Sequence, residues 1–188
     1  MTPGTTALIV LVVLVVLAIL VVVQYNGLVR VRNLVQESWR QVDVELTRRH
    51  ELIPNLVETV KGYAGHEKAV FEEVARARSA AVGAGASPEQ QAAQENELTH
   101  ALGRLFAVAE GYPVLRASEN FQQLQLELST TEDRIAAARR FYNANVRDLN
   151  TRVESFPSNL LAGAFGFARA EYFEVEDPAV RQAPTVTF

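Results

Sequence analysis

The strongest constraint on this chain is an unbroken run of 17 apolar residues, Ala7 to Val23, with no charged side chain anywhere before Arg30. At about 1.5 Å of rise per residue the run makes roughly 26 Å of helix. Extending it over Thr5, Thr6, Gln24 and Tyr25 brings the length to about 32 Å, close to the hydrocarbon thickness of a bilayer. A soluble helix of this composition would have no face to offer water, whereas lipid demands apolar bulk and leaves the backbone no alternative to helical hydrogen bonding. Tyr25 then falls where an interfacial aromatic belongs. A cleaved signal peptide would need a positive n-region and a small-x-small site, and neither flanks the run. The reading is a single transmembrane helix, with the lipid bilayer as partner through residues 7–23.

The flanking charge sets an expected orientation. No Lys or Arg precedes the run, and Arg30, Arg32 and Arg40 follow it, so the C-terminal domain is expected in the cytoplasm and the short N-terminus outside. A net charge of −4 without a basic run argues against nucleic acid as a partner, because such binding relies on clustered cations. The absence of cysteine excludes disulfides, thiolate chemistry and Cys-ligated metals.

Beyond the anchor the periodicity is helical. From Gly27 to about Ala81 apolar residues recur at spacings of three and four, predicting one long helix, kinked or broken near Pro54 because proline removes the bond to the His50 carbonyl at a cost of about 3 kcal/mol. The Gly- and Ala-rich stretch from Ala80 to Pro88 reads as a linker. Ser87 followed by Pro88 predicts the cap and first turn of a second helix reaching Glu110. Gly111, Tyr112 and Pro113 end it. Ser118 opens a third, whose stripe from Phe121 through Leu128, Thr131, Ile135, Tyr142, Val146 and Leu149 to Phe156 is nearly heptadic, as in a coiled coil. Leu160 to Phe167 predicts a short fourth helix. No alternating run is long enough for a sheet, so the expected class is all-α: the transmembrane helix, then an antiparallel bundle of three long helices and the short fourth. The expected divisions are 1–25 for the N-terminus and anchor, 26–173 for the bundle, and 174–188 for an extended tail.

Chemistry is sparse in the pattern. A helical di-iron site needs two Glu-x-x-His motifs; Glu97 with His100 supplies one, and neither His50 nor His66 completes another. There is no nucleophile elbow and no phosphate-binding loop. No cofactor and no catalytic residue is expected. The candidate contacts for a lipid phosphate or a partner's carboxylate are the doublets Arg48–Arg49 and Arg139–Arg140. In the tail, Val186 and Phe188 alternate with threonines and could either pack on the bundle or add as a strand to a partner's sheet. Asn143 and Asn150 share a face beside the stripe, a pattern that fixes helix register.

The segments Arg48–Glu67 (RRHELIPNLVETVKGYAGHE), Asn120–Phe121, Thr131–Asn143 (TEDRIAAARRFYN) and Glu154–Asn159 (ESFPSN), with Gly27–Asn33 (GLVRVRN) and Ala162–Phe167 (AGAFGF), resemble the LemA family of bacterial membrane proteins. The resemblance implies a bacterial protein with an N-terminal anchor and a helical bundle, located in the cytoplasmic membrane. It supplies no catalytic residues, and a magnetosome-associated branch suggests membrane-organising roles. The expected function is a non-enzymatic, membrane-anchored scaffold or adaptor that recruits an unidentified membrane or cytoplasmic protein. One alternative is a lipid- or small-molecule-binding regulatory module built on the Arg doublets and a groove at Pro54. Another is an enzyme using carboxylates alone, such as Glu58, Glu67 or Glu132. An oligomer is compatible with the pattern, although the span has no small-xxx-small motif for tight anchor pairing.

Overall fold

The structure, a computed structural model, describes residues 3–83 and 87–174. Every regular element among them is α-helical: α1 (Pro3–Lys61), α2 (Lys68–Ala81), α3 (Pro88–Glu110), α4 (Pro113–Arg116), α5 (Glu119–Glu154) and α6 (Ser158–Phe165). The all-α expectation holds. The tail residues Val186 and Phe188 lie outside the described residues.

The chain divides into two compact units. One comprises residues 3–40 and 140–170, and the other comprises 171–174 with the described part of 41–139. Helices α1 and α5 each contribute to both.

In the first unit, α1 runs without interruption from the apolar span into the domain across residues 25 and 26. The span itself is exposed along its length, as a lipid-facing helix would be outside lipid. Its first buried residue is Leu28, which forms a small core with Ala162 and Phe167, flanked by Val29, Val153 and Leu161. Trp39 packs on Tyr142 with ring centroids 5.2 Å apart. Gly166 ends α6 in the left-handed region at φ 70°, where a side chain would be strained.

From Gly166 to Glu174 the chain is non-helical, and it is tied down by Asn150. This side chain donates from Nδ2 to the Ala170 carbonyl at 3.0 Å and accepts from the Ala170 N–H at 2.8 Å, so it satisfies a whole peptide group. Asn150 is 4% exposed. Of the two asparagines expected to fix register, this one fastens the segment after α6. Truncation strands two part-buried backbone groups, so Asn150→Ala is expected to cost about 1–3 kcal/mol, read as a lowered denaturation midpoint. An unchanged midpoint would show that water replaces the clasp.

The second unit holds the main core, where Ile53, Leu56 and Val60 of α1 meet Phe71 and Val74 of α2, Leu98, Leu102 and Leu105 of α3, and Phe121 and Leu128 of α5. Two expectations need correction, and one short helix is additional. The single helix expected from Gly27 to Ala81 is two helices, α1 and α2, separated by a turn that contains Gly62 and Gly65. The turn closes on the end of α1, with the Tyr63 and Ala64 N–H groups both donating to the Val60 carbonyl at 3.0 and 2.9 Å. Apolar spacing runs through it, because Ala64 is buried 1% exposed like Val60 before it and Val74 after it. The extra turn α4, unforeseen, buries Leu115 between α3 and α5 in the chain order. Finally Phe156, expected in the core stripe, is 80% exposed because α5 ends two residues earlier.

Pro54 does not break the helix, and α1 continues through it. The His50 carbonyl that Pro54 cannot serve instead accepts a hydrogen bond from Arg78 Nε at 2.7 Å, so α2 repairs the gap that proline leaves in α1. The cap of α3 forms as expected: the Gln90 N–H donates to Ser87 Oγ and the Gln90 side chain accepts from the Ser87 N–H, with Pro88 in the first turn.

Candidate functional site

The most concentrated polar chemistry among the described residues lies inside the second unit, in a network that joins α1, α3 and α5. Helix α3 places Gln91, Glu95 and Thr99 four residues apart on one face, the face that also carries Leu98 and Leu102 into the core. Helix α1 brings Arg49 and His50 against it. Arg49 Nη1 lies 3.2 Å from Glu95 Oε2, and Nη2 donates to Thr99 Oγ1 at 2.7 Å. His50 Nε2 is 2.9 Å from Glu95 Oε1, which also accepts from Gln91 Nε2 at 2.9 Å. An ionised carboxylate only accepts, so beside ionised Glu95 it is His50 Nε2 that carries the proton. From α5, Glu132 Oε1 approaches Arg49 Nε to 3.0 Å, an ion pair without an aligned hydrogen bond.

Burial makes this network unusual. The Arg49 and Glu95 side chains are 2% and 1% exposed, and charges so placed persist only when paired and hydrogen-bonded. Two carboxylates surround one guanidinium, so with a neutral His50 the group carries one excess negative charge, which a protonated His50 would cancel. Glu132, half-exposed at the edge, bears the strain. Burial pushes its carboxyl above the ordinary 4.5, and Glu95 and Asp133 push the same way, while Arg49 opposes them.

A pH dependence follows. Because the folded carboxyl binds its proton more tightly than the unfolded one, the folded state holds more protons from about pH 4.5 upward to the raised value, and stability falls as pH rises through that window. Glu132→Gln cannot titrate. Relative to this variant, the native protein is therefore expected to lose unfolding free energy as pH rises from about 4.5, measured by denaturant titration at a series of pH values. Parallel pH profiles would refute the assignment.

The sequence-derived candidates land unevenly. Arg49 turns inward into the network, so of its doublet only Arg48 stays at the surface, 3.7 Å from Glu45. Arg139 is half-buried and engaged, and Arg140 is exposed. With Arg49 committed to Glu95 and Arg78 to the His50 carbonyl, the groove imagined at Pro54 is not built from Arg49. Glu58, Glu67, Glu97 and His100 are all exposed. No cluster of three His, Asp or Glu side chains arranged to hold a metal occurs among the described residues. A separate open cleft of about 510 Å³ lies between α3 and α5, lined by Phe106, Ala109, Glu110, Arg116, Phe121, Gln122 and Gln125. Sequence reading missed Glu95. Its signal was present, because Glu95, Leu98, Leu102 and Leu105 are spaced three, four and three apart, which places a carboxylate in an apolar stripe.

The LemA family profile matches residues 38–188 of this sequence, which include the whole network. The chain belongs to the LemA family. This LemA-family chain is 31% identical over 181 residues to the magnetosome protein MamQ 1 of Paramagnetospirillum magneticum, an alignment covering 83% of the chain and 66% of that relative. It is 29% identical over the same length to the magnetosome protein MamQ of Magnetospirillum gryphiswaldense, with the same coverage. The protein LemA of Metamycoplasma hominis is 23% identical over 152 residues, covering 81% of the chain and 69% of that relative. The chain thus spans just under two thirds of the length of its magnetosome relatives. Among the described residues, one helix is long and apolar enough to cross a membrane, the N-terminal part of α1.

Proposed function

We propose that this LemA-family chain is a non-enzymatic scaffold or adaptor of the bacterial cytoplasmic membrane, anchored once through residues 7–23, with its N-terminus outside and its helical domain in the cytoplasm. The observation that carries the reading is α1 itself: one uninterrupted helix holds both the exposed apolar span and, in Arg49 and His50, part of the buried network of the domain. Apart from Arg49 Nε, which meets Glu132 without an aligned hydrogen bond, the network's buried groups pair with one another, which supports a structural role for them rather than a reacting one. Likeness to magnetosome proteins supports a place at a membrane-associated assembly. The arginines after the span support the orientation.

The test is chemical crosslinking in native membranes followed by mass spectrometry, with a reporter fused after Phe188. A stoichiometric protein partner and a cytoplasmic reporter are expected. A co-purifying lipid or metabolite without a protein partner would favour the regulatory binding module, and alkaline phosphatase activity in the fusion would reverse the orientation. Deleting residues 1–24 is expected to leave a helical domain that no longer fractionates as an integral membrane protein, because the span adds nothing to either core. Loss of helical circular dichroism on deletion would show that the domain depends on its anchor.

A further inference from the structure

Helix α6 and the turn before it carry an apolar surface that is exposed among the described residues. Phe156, Leu160 and Phe165 are 80%, 66% and 55% exposed. The other side of α6 is spent on the core, where Ala162 and Phe167 meet Leu28 of α1. No charged side chain occurs from residue 155 to 168. The charges that bracket this stretch, Glu154 and Arg169, pair with each other at 3.0 Å, which leaves the stretch between them neutral. Three large apolar side chains on a short, uncharged stretch are costly to leave in water and call for an occupant.

The fold says which. The Phe165 ring packs edge-on against Tyr25 with centroids 4.9 Å apart, and Phe167 lies 5.9 Å from the same ring. Tyr25 stands two residues beyond Val23, the end of the apolar run, so α6 sits within about one helical turn of the level where the span leaves hydrocarbon. That level is the interfacial layer, where aromatic side chains collect. Past it on α1, the Arg32 guanidinium stacks over the Phe167 ring at 4.9 Å and Arg30 is exposed, which sets cations at the height of lipid phosphates. Apolar surface, aromatic ring and cation thus follow one another in the order in which a bilayer presents tails, interface and headgroups.

We propose that Phe156, Leu160 and Phe165 insert into the interfacial layer of the same bilayer that α1 crosses, so that this part of the domain is held flat to the lipid surface by α6 as well as tethered by the span. The inference rests on the membrane-anchored reading above. It makes α6 a lipid-contacting element, comparable to an interfacial amphipathic helix that buries one face at the headgroup boundary.

The absence of cysteine makes the test clean, since any introduced cysteine is unique. Full-length Leu160→Cys, Phe156→Cys, Val15→Cys and Arg147→Cys variants are each spin-labelled and reconstituted in vesicles of phosphatidylethanolamine and phosphatidylglycerol. Collision with lipid-soluble oxygen is then compared with collision with a water-soluble nickel chelate. Val15 is the control within the span, and Arg147 is the exposed control on α5. Labels at Leu160 and Phe156 are expected to favour oxygen over nickel several-fold, as Val15 does, with Arg147 reversed. Nickel-dominated collisions at Leu160 and Phe156, with Val15 still in lipid, would overturn this inference and leave the anchor standing. A wet Val15 would overturn the anchored reading and the inference with it. Low collision with both reagents at Leu160 would mean that protein, such as a second copy of the chain, covers the patch, and would equally overturn it.

Discussion

Glu95→Ala is expected to destabilise the protein by about 3–5 kcal/mol, the loss typical of a buried ion pair deprived of one partner. Glu95 is fully buried, and its two oxygens receive Arg49, His50 and Gln91. Alanine leaves the Arg49 guanidinium, itself 2% exposed, with only Thr99 and the misaligned edge of Glu132 to balance it. The cost is the uncompensated charge more than the lost bond, so removing both charges should recover much of it. Arg49→Met combined with Glu95→Met fills the same space with apolar, adaptable side chains, and replacement of buried ion pairs in this way is often neutral or stabilising. Denaturant unfolding of the two single variants and the double variant forms a cycle whose coupling term should be large and favourable to the pair. A loss below about 1 kcal/mol in Glu95→Ala would place the network in the class of solvated surface pairs and contradict its burial.

How far this network could be foreseen depends on which physical signal each part leaves in a linear chain. Periodicity gave α5 within a residue or two at each end, and the Ser87–Pro88 signature gave the start of α3, because capping and heptad patterning are local. The turn between α1 and α2 left a weaker mark. Gly62 and Gly65 announce a break, but the buried Ala64 keeps the apolar spacing alive across it. Arg49 was legible only as one half of a basic doublet. Its inward direction depends on Glu95, 46 positions away, and long-range pairing of that kind is not encoded in spacing. Arg78 belongs to the same class, since the carbonyl it serves is orphaned by Pro54, while the donor comes from a different helix. Phe156 fits the stripe of α5 by position, yet the helix stops before it, so its side chain is released from the core. The doublet and the phenylalanine err in opposite directions for one reason: residue type and spacing say what a side chain prefers, and the partner elements decide whether the preference is met.

Leu128 and Leu126 isolate that point in a measurement. They share a residue type and a helix and are two positions apart, so helix propensity cancels between them, but Leu128 is 5% exposed within the main core and Leu126 is 67% exposed. Leu128→Ala removes buried methyl groups and leaves a cavity among α1, α3 and α5 side chains that can relax only in part, so a loss of about 2–5 kcal/mol is expected. Leu126→Ala removes atoms that already face water, and its effect should stay within about 0.5 kcal/mol. Thermal and denaturant midpoints of the two variants, followed by far-ultraviolet circular dichroism, give the comparison directly. Equal losses would mean that α5 is rotated about its axis from the orientation described, and that rotation would carry Glu132 away from Arg49. The leucine pair therefore also tests the α5 side of the ionic network without touching any of its charges.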